Sequence, residues 1–220
     1  MHLRTRLPQV LFVLACVCMA GVPAFAESRG TFYALMLDPN GSEARELNDP
    51  GWGFGAEVAI PLISTREIVA LEAGFDMGNL DSGTSEATDP GGGLLTVFTT
   101  SQDYYRIFGG AEVGGRSEAR VRPHAGLQLA LVRQEISTIF FDPGSGLSGV
   151  VGSESSTRLG YGLSGGVGIR ITEKTSIDGG MRYLKGFGIE IPTQDGSTTT
   201  VRPDYLQLYL GITRRYKWPE

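Results

Sequence analysis

Two catalytic signatures overlap in the stretch GYGLSGGVGIRI, residues 160–171. Gly160, Gly162 and Gly165 spell the G-x-G-x-x-G of loops that bring a pyrophosphate to a helix N-terminus. Gly162-Leu163-Ser164-Gly165-Gly166 spells the G-x-S-x-G turn that exposes a nucleophilic serine. Neither chemistry has its supporting elements. A dinucleotide loop runs straight into a helix, whereas Val167-Gly168-Ile169-Arg170-Ile171 alternates like a strand. A hydrolase elbow needs its histidine later in the chain, and none follows His124. With 32 Gly in 220 residues, three glycines at specified positions arise by chance on the order of once per chain. Gly144, Gly146 and Gly149 repeat the first motif inside a polar segment.

A second set of residues carries more chemistry. Glu57, Glu72, Asp76, Glu112 and Asp178 on the acidic side, and Arg106, Arg122, Arg158, Arg170 and Arg182 on the basic side, share the polar face of alternating stretches. Each guanidinium has a carboxylate to answer it. Charges on a buried face are tolerated only when paired and hydrogen-bonded, so these residues predict a ladder of Arg–carboxylate bridges. Counted from the short-turn ends of the stretches, Glu57, Glu72, Arg106, Arg122 and Arg182 fall nearest the middle. His124 lies on the same face between Arg122 and Gln128. A lone histidine without a cysteine or second histidine makes a poor metal site, and it reads as a satisfied interior residue. No metal and no cofactor are expected.

The elements that position these residues are strands. Trp52, Phe54, Ala56, Val58 and Ile60 alternate with Gly53, Gly55, Glu57 and Ala59, and the same period recurs through Val69–Met77, Tyr105–Val113, Val121–Leu131, Leu159–Ile171, Ile177–Tyr183 and Leu206–Ile212. An apolar segment at 31–37, whose facing is not assigned, brings the total to eight. Short connections at Ser64-Thr65, Gly115-Arg116-Ser117 and Glu173-Lys174 alternate with long Gly-, Ser- and Asp-rich ones at 38–51, 79–100, 134–157 and 187–202. This order predicts an all-β fold: an eight-stranded antiparallel up-and-down transmembrane β-barrel with short periplasmic turns and four long extracellular loops. A soluble barrel with an apolar interior would need a better solvating polar face than these glycines and few lysines provide.

The ends and the composition agree. His2, Arg4 and Arg6, the apolar run 7–19 and Ala24-Phe25-Ala26 form a secretory signal peptide over 1–26, leaving 27–220 as the barrel domain. A rival reading makes Leu14-Ala15-Cys16 a lipoprotein box. Both cysteines lie in the leader, which removes disulfides and cysteine chemistry from the rest. Taking Arg4 and Arg6 from 19 Lys and Arg leaves 17 against 24 Asp and Glu, a net −7. An acidic exported chain without a basic stripe argues against nucleic acid as a partner.

The leader, the alternating strands, the order of turns and loops and the closing YLQLYLGITRRY together resemble the small outer-membrane β-barrel family that includes the OmpA transmembrane domain and OmpX. The resemblance implies a terminal aromatic read by the barrel-assembly machinery; Tyr216 fills that place, with Lys217-Trp218-Pro219-Glu220 extending past it. It implies localisation in the cell outer membrane, as a monomer among outer-membrane lipid and lipopolysaccharide. It also implies that alternative salt bridges in the lumen can gate a narrow water path, with His124 beside that network. Tyr33, Trp52, Tyr104, Tyr161, Tyr183 and Tyr216 are expected in interfacial girdles. Glu43, Glu46, Asp49, Asp81, Glu86 and Asp89 make the first two loops acidic. The leading expectation is a non-enzymatic envelope protein acting structurally or through its loops, the alternative a small gated pore. A third possibility is a lipid-modifying enzyme using the inward-facing His124 and Ser164, although their flanking residues match no such enzyme motif.

Overall fold

The computed structural model describes residues 27–40, 49–62, 68–88, 94–115, 119–186, 189–192, 198–201 and 204–216. The leader, the 217–220 extension, Ser64-Thr65, Arg116-Ser117, Glu43, Glu46 and Asp89 lie outside the described residues, as do the side chains of Asp81 and Glu86. The strands are β1 (Ser28–Pro39), β2 (Gly51–Pro61), β3 (Val69–Thr88), β4 (Leu94–Gly114), β5 (Val121–Asp142), β6 (Leu147–Arg170), β7 (Thr175–Gly186), β8 (Ile189–Pro192), β9 (Thr198–Val201) and β10 (Asp204–Tyr216). Eight of them close an antiparallel barrel in the order β1-β10-β7-β6-β5-β4-β3-β2, and β8 and β9 pair as a separate hairpin. The first and last strands seal it, from Ser28 opposite Tyr216 to Pro39 opposite Tyr205.

Alternation sorts the side chains in the sense a hydrocarbon surround demands. Leu127, Leu129 and Leu131 of β5 and Leu163, Val167 and Ile169 of β6 point outward, while His124, Gln128, Asp178 and Arg182 are buried. Leu129 is 64% exposed and Arg106 1%, an inversion of the soluble pattern that closed strands in lipid require. On β1, whose facing the sequence leaves open, Thr31, Tyr33, Leu35 and Leu37 point inward, and Phe32 outward.

Two expected girdle residues are corrected. Tyr33 and Tyr104 are buried in the lumen, because they share the face of Leu35 and Arg106 respectively. Trp52, Tyr161 and Tyr216 are exposed on the outer wall.

The strands are longer than the loops at 79–100 and 134–157 allowed. β2 leaves β3 at the Trp52–Asn79 pair, and β7 leaves β6 at Gly160–Gly186. Beyond those points β3, β4, β5 and β6 keep pairing with one another, to Thr88–Leu94 on one hairpin and Asp142–Leu147 on the other. The Thr, Val, Ile and Phe residues interspersed among the Gly and Ser supply enough β preference once a neighbouring strand satisfies the backbone. Among the described residues, 147–159 of β6, roughly 40 Å of strand at the usual rise, and 80–88 of β3 thus form the two edges of a four-stranded blade above the barrel. Its β5–β6 turn is tied by Asp142, which accepts from Ser145 Oγ and from the Gly144 N–H at 2.8 Å. These donors hold the Asp142 carboxyl below the usual carboxylate range. Gly146 takes the left-handed conformation there, at φ 69°.

The membrane boundary is therefore testable. Leu127→Arg, on the lipid face, should destabilise the barrel refolded in vesicles by about 2–4 kcal/mol, whereas Val150→Arg on the blade should stay within about 0.5 kcal/mol of wild type. Urea unfolding followed by heat-modifiable migration reads both.

Candidate functional site

The lumen is filled in three layers. At the outer end Leu35, Leu37, Leu80 and Leu184 meet Tyr104 and Tyr205, all essentially without exposure. The two tyrosine rings meet edge-on at 5.5 Å. Their hydroxyls are satisfied by amides: Gln207 Nε2 donates to Tyr104 Oη at 2.9 Å, and Gln102 Nε2 to Tyr205 Oη at 3.3 Å, with Gln134 donating to the same oxygen. Tyrosine suits this place because its ring fills volume while its hydroxyl finds a partner.

The middle layer holds Arg106 and Arg182. Arg106 Nε donates to both Asp76 oxygens, at 3.1 and 3.0 Å, and Nη1 to Gln128 Oε1 at 3.1 Å. Gln128 passes the polarity on, donating to Glu72 Oε1 at 2.8 Å, and Tyr33 Oη donates to Asp76 at 3.2 Å. Arg182 pairs with Glu57 across the barrel and lies 3.9 Å from Asp76. Aromatic faces cover the remaining guanidinium surface: Tyr209 at 4.3 Å and Tyr33 at 4.6 Å from Arg182, and Phe108 at 4.2 Å from Arg106. Phe108, which interrupts the polar face in sequence, is therefore a packing partner of the arginines.

The inner layer faces the short turns. Glu112 Oε1 accepts from Arg122 Nη1 at 2.6 Å and from Arg29 Nη2 at 2.8 Å, and Asp178 accepts from Arg122 Nη2 at 3.2 Å. His124 Nε2 shares a 2.9 Å hydrogen bond with Tyr209 Oη and lies 3.5 Å from Asp178, while its Nδ1 is buried without a hydrogen-bond partner. Glycines on the facing strand make the room. A Cβ on Gly166 would fall 2.6 Å from Tyr209 Oη and 2.7 Å from His124 Nε2, and one on Gly168 would fall 2.8 Å from Asp178 Oδ2. The motif of residues 160–168 is thus the space that the side chains across the lumen occupy.

Glu57, Glu72, Asp76, Arg106, Glu112, Arg122, His124, Asp178 and Arg182 all lie in this interior. Three candidates form no ion pair among the described residues: Glu72, which accepts from Gln128 instead, and Arg158 and Arg170. Arg158 is exposed on the open edge of β6, above the last β7 partner, and makes no ion pair among the described residues. Arg170 lines the inner mouth, likewise without an ion pair among the described residues. Ser164 stands opposite Gly126 and His124 opposite Gly166, so the register sets the pair apart, and the histidine bonds Tyr209 instead. Missing from the expected set was Arg29, whose facing follows from Tyr33 and Leu35 only once β1 is known to point them inward.

Residues 12–212 match the family described as "Outer membrane protein beta-barrel domain". Among solved structures, Neisserial surface protein A aligns over 86% of this chain and 96% of its own, with a TM-score of 0.52 at 15% identity. A major outer membrane protein from Thermus thermophilus aligns over 86% and 99%, with a TM-score of 0.51 at 14% identity. For Ail, the attachment invasion locus protein of Yersinia pestis, the figures are 87% and 99%, 0.48 and 14%. No curated protein matches the chain. At these identities the likeness is one of fold.

The middle layer makes a quantitative expectation. Asp76→Ala strands the Arg106 charge in the lumen and should cost about 3–5 kcal/mol, whereas Asp76→Leu combined with Arg106→Met should recover most of that loss. Equilibrium unfolding in vesicles of both variants checks the pair.

Proposed function

We propose, for a chain that belongs to the outer membrane protein beta-barrel domain family, that it is a closed, non-enzymatic membrane anchor whose work is done by surface contact. One observation carries this reading: β3 to β6 run on past the other barrel strands as a paired blade whose two edges are β3 and β6. Among the described residues no strand pairs with β6 on its outer side beyond Gly160, and an edge of this kind can add a strand from a partner. Ile139, Phe141, Leu147, Val150 and Val151 are exposed on the blade, above the part that lipid would cover. Apolar groups held out in water on a rigid sheet favour a partner that covers them. In this reading the leader 1–26 exports the chain, the assembly machinery reads its final strand, and lipopolysaccharide surrounds a monomeric wall.

The gated pore fits less well. Leu37, Leu80, Leu184 and Tyr104 close the outer end with packed side chains, and opening a water path would require moving this apolar layer as well as exchanging ion pairs. Planar-bilayer recordings are expected to show no discrete channel events in the wild type or in Glu72→Ala; regular unitary steps in either would restore the pore.

The contact role has its own measurement. The triple variant Ile139→Asp, Phe141→Asp, Val150→Asp should lower the adhesion or autoaggregation of expressing cells several-fold while leaving heat-modifiable migration unchanged. Adhesion equal to wild type would remove the blade from the function.

A further inference from the structure

The last hairpin of the barrel has a continuation. Asp204 pairs with Lys185 at the outer end of the β7–β10 ladder, and Ile189 pairs with Val201 at the base of β8–β9. Three residues, 186–188, separate the two ladders on one side and two, 202–203, on the other. β8 and β9 therefore prolong β7 and β10 with an offset of one residue, the count of a β-bulge. Gly160–Gly186 is the last β6–β7 pair, so β8 begins three residues after the point where 147–159 of β6 loses that neighbour. β6 runs toward the short turns and β8 away from them, the antiparallel sense that β6 already keeps with β7.

Neither element is complete alone. β8–β9 has four pairs, Ile189–Val201 to Pro192–Thr198, and a two-stranded hairpin in water is marginal without a third strand or a packed face. Its sequences Ile189-Glu190-Ile191 and Thr198-Thr199-Thr200-Val201 are rich in β-branched residues, which favour a sheet. Along 147–159, β6 is paired on its β5 side, and among the described residues no strand pairs with it on the other.

We propose that the β8–β9 hairpin is a strap for the β6 edge: β8 adds antiparallel to β6 within 154–158, widens the blade from four strands to six, and takes the part of the edge nearest the barrel away from any other strand. This pairing continues two ladders already present, β6–β7 and β7–β10. Extending the Gly160–Gly186 register puts Ile189 opposite Thr157, and a bulge at the extra residue puts it opposite Arg158. Pro192 has no N–H to donate, which ends the added strand there. In the structure the hairpin is a sheet of its own, the open arrangement. The regulatory role rests on the blade acting by contact, because the strap and a partner strand compete for one edge.

Cysteine pairs read the strap directly, since both native cysteines lie in the leader. In the outer membrane of expressing cells, oxidation should link Ile189→Cys to Thr157→Cys or to Arg158→Cys about tenfold faster than to Val150→Cys, which lies too far along β6 for β8 to reach. Mass spectrometry of the linked peptides gives the rate, and heat-modifiable migration shows that each variant folds. Locking the faster pair should lower adhesion several-fold, and dithiothreitol should restore it. Linkage of Thr157→Cys and Arg158→Cys no faster than that of Val150→Cys would overturn the strap, and fast linkage without loss of adhesion would overturn its regulatory role. The contact reading itself is judged by the apolar triple variant, so either can fail without the other.

Discussion

Burial of two guanidinium groups in a lumen only wide enough for side chains is the constraint on which the other features depend. Arg106 and Arg182 cannot face lipid, and inside the barrel they cannot be left to water. Each therefore needs a carboxylate at hydrogen-bond distance and apolar faces around the rest. Asp76 stands directly opposite Arg106 on the neighbouring strand, so their pairing fixes the β3–β4 register. Glu57 and Arg182 come from β2 and β7, strands that are not neighbours, and their bridge spans the closed barrel. A slip of one residue in any hairpin would send one member of a pair into lipid, which makes the interior charges a register device for the whole sheet. Such buried pairs add little net stability over packed apolar groups, and specificity is their better-supported benefit here.

The glycines follow from the same constraint. A narrow barrel has a nearly constant interior width, so a large residue on one strand needs a small one facing it. Gly74 lies under the Phe108 ring, where a Cβ would come within 2.7 Å of Cζ, and Gly55 lies under Tyr33, where it would come within 2.7 Å of Cε2. Gly166 does the same for His124 and Tyr209. Clusters of glycine with period two on one face thus mark the shadow of bulky residues elsewhere on the barrel wall. They imitate cofactor motifs only because both demand close approach.

Much of this was legible in the sequence, because period two assigns a face to every residue once one charged residue on a strand is placed inside. Glu57, Glu72, Asp76 and Arg106 fall on the inner face by that rule. The rule failed where a strand carries no charge in its middle. Tyr33-Ala34-Leu35-Met36-Leu37 is apolar on both faces, so neither the inward Tyr33 nor Arg29 two pairs below it could be placed. Partner choice was equally hidden, since it depends on which strands meet across the axis: Arg158 and Arg170 have the right parity but sit past the ends of the bridged zone. The blade escaped notice for a different reason. Gly- and Ser-rich strands such as Leu147–Thr157 have low intrinsic preference and gain their order from a neighbouring strand, a tertiary effect that local composition does not carry.

Along the axis the interior changes character in one direction. Its outer layer is leucine and tyrosine with neutral amides, its middle layer pairs arginine with carboxylate, and in its inner layer Arg29 and Arg122 share Glu112. A conducting path would need polar groups and space from end to end, and here the space ends at Leu37, Leu80 and Leu184. The two ends of the barrel differ chemically: the outer end continues into a blade with exposed apolar groups, and the described interior of the inner end pairs Arg29 and Arg122 with Glu112 and Asp178. Among the described residues the buried Leu35, Leu37, Leu80, Leu184, Tyr104 and Tyr205 interrupt the polar interior at its outer end, so the ion pairs of the middle layer stand apart from the blade.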